Sequence, residues 1–175
     1  MVRGIMHWIH GPLGWTHGRI PNNEETNVVF FRGMSLDAIT RGLLGMRHRP
    51  LAYGKGADWS IVMHDMPGWD DGDHSGTDYG RLCLPGSELA VFVTEPCLAK
   101  GHRPHFEYYR DGRLHTWVSF ENLGHGTGEE PDFLLPALTE AHLVGPTADL
   151  DRENAEERAV EAITRFLSLP DLELP

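Results

Sequence analysis

The sequence predicts an α+β domain: an antiparallel sheet of about four or five strands, with helices packed on one face. Three observations carry this. The runs Glu88–Thr94, His105–Arg110 and Arg113–Phe120 are rich in β-branched and aromatic residues, the composition of strands. Asp111-Gly112 joins the second run to the third, and Asp-Gly between alternating runs is the strongest short-range hairpin signal. The three therefore form a meander, whose side-chain alternation leaves one face for helices to cover.

Along the chain, residues 1–26 are rich in Gly, Pro, His and Trp without a clear period. They read as an irregular arm that lays Trp8 and Trp15 on a single domain spanning 27–170. Asn27–Arg32 (NVVFFR) suits a short strand. Ser35 is placed to cap a helix whose apolar face is Leu36, Ile39, Leu43 and Leu44, with Met34 and Ile39 as a hydrophobic staple and Gly45 at its end. Trp59–Met63 reads as a strand entered by the turn-rich Tyr53–Gly56, and a polar loop runs from Asp65 to about Gly80. After the meander and the glycine-rich stretch Leu123–Gly128, a helix is expected from Pro131 to about Leu143. Pro136 is tolerated there only in the first turn, and Gly145-Pro146 stops the helix. The last helix, Asp151–Leu167, has acids at its start and a narrow stripe of Ala155, Ala159, Ala162, Ile163 and Phe166.

Charge restricts the partners. Among 175 residues, Asp and Glu outnumber Lys and Arg by 26 to 15, for a formal net charge of −11. A field of that sign repels phosphate backbones and anionic membrane surfaces, so neither nucleic acid nor membrane is an expected partner. The densest basic stretch, Arg41–Arg49, reads as a helix end that complements the dipole. No apolar run approaches the roughly 18 residues a membrane span needs. Cys83 and Cys97 have neither zinc-knuckle nor redox-pair spacing and are expected as free buried thiols. The first ten residues are too short and too His-rich for a secretory signal, so a cytoplasmic location is expected. Protonating all eleven histidines would bring the formal charge to zero.

Chemistry-bearing motifs are sparse. Asp71-Gly72-Asp73-His74-Ser75-Gly76 matches the first half of a calcium-binding EF-hand loop, but the required Glu is replaced by Leu82. A divalent metal is therefore a possibility rather than an expected cofactor, with His64, Asp71, Asp73 and His74 as candidate ligands, converging with Asp65 beside the strand end. The histidine pairs His7/His10 and His102/His105 form no known zinc framework. No G-x-S-x-G elbow is present, and Gly124–Gly128 lacks the Lys-Ser/Thr of a phosphate loop. Trp69, beside Pro67-Gly68 in the acidic loop, has the character of a binding anchor.

Four short stretches resemble one family. They are Arg32-Gly33-Met34-Ser35-Leu36-Asp37-Ala38-Ile39, Asp58-Trp59-Ser60-Ile61-Val62, Tyr109–Arg113 with Val118-Ser119-Phe120-Glu121, and Gly128-Glu129-Glu130-Pro131-Asp132. Together they are similar to the actinobacterial domain-of-unknown-function family 6461 over roughly residues 28–167. The His-rich arm and the acidic loop depart from its pattern. The resemblance implies a fold and an actinobacterial type of origin, and no activity.

Two functions are compatible with these features. The favoured one is a non-enzymatic binding or regulatory module that presents the acidic loop to a basic protein, with Trp69, Asp70, Asp71, Asp73 and Asp78 as contacts. Immunity proteins that neutralise basic toxins share this profile of small size and strong acidity. The alternative is a small metal-dependent enzyme, hydrolytic or tailoring, that uses the His and Asp residues of 64–78. The sequence sets neither the partner nor the oligomeric state.

Overall fold

The computed structural model describes residues 26–65, 77–93, 104–149 and 152–170, so all but the last residue of the expected arm lies outside them. The described strands are β1 (Thr26–Arg32), β2 (Pro50–Lys55), β3 (Ser60–Asp65), β4 (Glu88–Val93), β5 (His105–Arg110), β6 (Arg113–Ser119) and β7 (Gly126–Thr127). They form one antiparallel sheet in the order β2-β3-β1-β4-β5-β6-β7. The expected meander is β4-β5-β6. Its hairpin turns through Asp111 (φ 53°) and Gly112 (φ 78°), the left-handed pair that a two-residue loop with matching twist demands.

Among the described residues, seven strands replace the four or five expected. The additional ones are β2 and β7. β2 carries Pro50 and Gly54, which argue against a central strand, and it lies at the sheet edge, where both are tolerated. β7 has two residues and lies in the glycine-rich stretch.

Helices cover both faces, not one. Alternate residues of β1 feed two separate cores. Val28 and Phe30, with Met63, Phe92, Phe106 and Val118, pack against Leu138 of α3 (Leu135–Glu140) and Val160 and Ile163 of α4 (Arg152–Leu167). Val29 and Phe31, with Val62, Leu89 and Val91, pack against Ile39 and Leu43 of α1 (Leu36–Gly45) and Tyr79 and Leu82 of α2 (Tyr79–Leu82). The central strands read VVFF, IVM and LAVFV, continuous apolar runs that need cover on both sides.

The helix ends explain much of the chain path. Ser35 caps α1 as expected, accepting from Ala38 N at 3.1 Å. Gly45 is the last helical residue, and the left-handed position falls two residues later, on Arg47 (φ 65°). His48 N donates to Leu43 O and Arg47 N to Leu44 O, the two bonds of a Schellman motif. The same pair of bonds ends α3 through His142 (φ 55°) and α4 through Ser168 (φ 53°). The helix expected over 131–143 is reduced to 135–140, because Pro136 fits only the first turn. Just before α1, Gly33 (φ +75°) lies so close to the loop between α2 and β4 that a Cβ would stand 2.3 Å from Gly86 O. No helix among the described residues is long and apolar enough to cross a membrane.

Candidate functional site

His48, His64 and Asp65 converge at one end of the sheet, under α1 and α2. One potential ligand atom from each lies within 4.8 Å of the other two, and the residues are 3%, 0% and 4% exposed. The elements that bring them together are specific. The Schellman motif after α1 reverses the chain, leaves Arg47 in solvent and carries His48 inward. His64 stands on β3 directly opposite Asn27 of β1, and Asp65 ends that strand.

A chain of buried hydrogen bonds orients the cluster. His64 Nδ1 donates to the carbonyl of Asp65 (2.6 Å), which leaves the lone pair on Nε2. Tyr79 Oη donates to that nitrogen at 2.9 Å and accepts from Asn27 Nδ2 at 2.7 Å. His48 Nε2 lies 3.0 Å from Thr77 Oγ1, and the His48 and His64 ring centroids are 4.9 Å apart. The Asp65 carboxylate accepts from Arg49 N at 2.5 Å and from Arg49 Nε at 2.6 Å. Burial lowers the His64 pKa to about 4, so the ring is neutral at physiological pH. Burial, and then the Glu107 charge, push the Tyr79 phenol well above its ordinary range and keep it a donor.

Beyond Tyr79 the polar row continues along the same face. Glu107 accepts from Tyr109 Oη at 2.7 Å and lies 2.8 Å from His105 Nε2, and the His105 ring sits beside Trp117. A second polar cluster occupies the other end of the sheet, on the opposite face. There Glu88 takes two bonds from Arg32 and one from Tyr108 Oη, while the Arg32 guanidinium also pairs with Asp58 and lies over Trp59. Burial raises the Glu88 carboxyl, but Arg32 and Tyr108 outweigh it and hold the group below the usual carboxylate range. This second cluster closes on itself as paired charges.

Of the residues singled out from sequence, Trp69, Asp70, Asp71, Asp73 and His74 lie outside the described residues, as do His7, His10, His102 and Cys97. His64 and Asp65 do come together, and their described companion is His48. Asp78 is exposed and caps α2 by accepting from Arg81 N. Cys83 is buried, with Sγ 3.4 Å from Ser87 O, as befits a packing residue. In the glycine-rich stretch, Gly126 is dictated by packing, since a Cβ there would stand 2.0 Å from Pro131 O. His48 was hidden in sequence because Arg47 and Arg49 flank it and the whole stretch resembles a solvated basic helix end.

Comparison with known proteins finds no matching family model, no similar curated protein and no similar solved structure.

Proposed function

We propose that this protein is a binding or regulatory module of the immunity type. It engages a basic protein through the acidic segment 65–78, with Trp69 as anchor and Asp70, Asp71, Asp73 and Asp78 steering association. The supporting observation is the base of that segment. Asp65, at one end, is clamped by Arg49, while Thr77 at the other contacts His48. The bond from Tyr79 to His64 ties the two flanks together inside the protein. A recognition segment on a rigid base loses less conformational freedom on binding. The net charge of −11 favours a basic partner. Membership of family 6461 belongs to the same proposal and adds no chemistry.

A metal-dependent enzyme is the second reading, favoured by the grouping of His48 with His64 and Asp65. It is the weaker because catalysis needs a concave site that substrate can reach, and these three residues are at most 4% exposed.

The test is affinity capture by the wild-type chain beside Trp69→Ala and the triple variant Asp70→Asn, Asp71→Asn, Asp73→Asn. One basic protein should be retained by the wild type and lost by both variants, with an association rate that falls as salt rises. Identical capture by all three chains would overturn the reading.

A further inference from the structure

Each member of the buried cluster is held as metal ligands are held. A coordinating histidine characteristically donates its other ring N–H to a carbonyl or another fixed acceptor, and a coordinating carboxylate is itself hydrogen-bonded. His64 donates from Nδ1 to the Asp65 carbonyl, which leaves the Nε2 lone pair facing the Tyr79 hydroxyl. With Nε2–H of His48 donating to Thr77 Oγ1, 3.0 Å away, its Nδ1 carries the lone pair. Asp65 Oδ1 is fixed by the backbone N–H of Arg49.

We propose that His48, His64 and Asp65 form a binding site for a zinc-class divalent transition metal, with His48 Nδ1, His64 Nε2 and Asp65 Oδ2 as ligands. Two imidazoles and one carboxylate are a donor set that zinc takes readily. Zinc bonds of about 2.0–2.2 Å require ligand atoms roughly 3.3 Å apart, and one potential ligand atom from each residue already lies within 4.8 Å of the others.

Two contacts give way. The Arg49 guanidinium leaves Oδ2, at little cost, because its side chain is 62% exposed and can turn into water. The Tyr79 hydroxyl, now 2.9 Å from His64 Nε2, yields that nitrogen to the metal and stays adjacent to it. The ion ties the end of α1 to the end of β3. Its role is to stabilise the fold at the base of segment 66–76, independently of whether that segment binds a protein. The site differs from the EF-hand-like motif in using none of Asp71, Asp73 or His74.

The experiment is zinc titration of the full chain against a competing chelator, with thermal unfolding and long-range nitrogen-15 imidazole spectra of the wild type. One zinc per chain is expected, with a higher melting temperature and with shifts at His48 Nδ1 and His64 Nε2. His48→Gln and Asp65→Asn should each weaken binding by about 100-fold, whereas Arg49→Ala should bind at least as tightly as wild type. His125→Gln controls for the other histidines. If His48→Gln fails to fold, Asp65→Asn and the wild-type imidazole spectra still decide. Unchanged affinity in Asp65→Asn, imidazole shifts confined to other histidines, or no zinc held at one per chain would each overturn the proposal.

Discussion

Tyr79 donates its hydroxyl to Nε2 of His64 across 2.9 Å, inside the protein and fifteen residues away in sequence. The same oxygen accepts from Asn27, so one phenol joins β1, β3 and α2. Tyr79→Phe keeps the ring and deletes the oxygen, leaving a buried imidazole nitrogen and a buried amide without that partner. An imidazole nitrogen so orphaned costs about 1–3 kcal/mol, and urea denaturation should show a loss of about that size. A loss below 0.5 kcal/mol would mean that the bond is not made in solution.

Acid should weaken the metal-free protein through His64. Its folded pKa is depressed from 6.5 to about 4, so the unfolded chain takes up the proton first. Stability from this group is fully present above about pH 6.5, falls as pH drops toward 4, and is flat below. The total is roughly 3 kcal/mol. An NMR titration checks the cause directly: the His64 ring should remain neutral at pH 5.5. A His64 midpoint near 6.5 would refute it.

Solubility should pass through a minimum in the same range for a different reason. With His64 held neutral, protonating the other ten histidines would bring the formal charge from −11 to −1, and proteins near zero charge associate. Turbidity at a few fixed concentrations between pH 7.5 and 5 measures this. Undiminished solubility at pH 5.5 would contradict it.

Arg47 occupies the left-handed position that ends α1 (φ 65°). An L side chain there is strained by about 1 kcal/mol, and glycine is not. Arg47→Gly should leave stability unchanged or raise it by up to about 1 kcal/mol. Gly33→Ala should do the reverse, with φ +75° and a Cβ 2.3 Å from Gly86 O, at a cost of about 2–4 kcal/mol. Thermal unfolding of the two variants side by side tests both signs.

The residues that were easy to read in sequence are those whose neighbours lie close in the chain. Ser35 as a cap and Asp111-Gly112 as a turn depend on contacts a few residues away, and both occur as expected. β2 was obscured because Pro50 and Gly54 signal a turn when burial is unknown, yet pairing with β3 at an edge accommodates both. Cover on both faces follows from VVFF and LAVFV, patterns of strands buried on two sides, but helix placement is set by distant packing. The candidate site was legible only at His64 and Asp65. His48 joins them through a helix-terminating reversal, and three-dimensional convergence of that kind leaves no periodic trace.

The placement of β1 has a consequence for synthesis. It is the first described strand, yet it lies between β3 and β4 and bonds to both. β4 ends about 60 residues later in the chain, so at roughly 5–20 residues per second the ribosome takes about 3–12 s to deliver it. For that time the nascent Val28-Val29-Phe30-Phe31 has at least one unsatisfied edge, and its Val28/Phe30 face waits for the still later α3 and α4. A segment of that composition is prone to aggregate, so the yield of folded protein should depend on chaperone supply and rise when translation is slowed only after β4 has emerged.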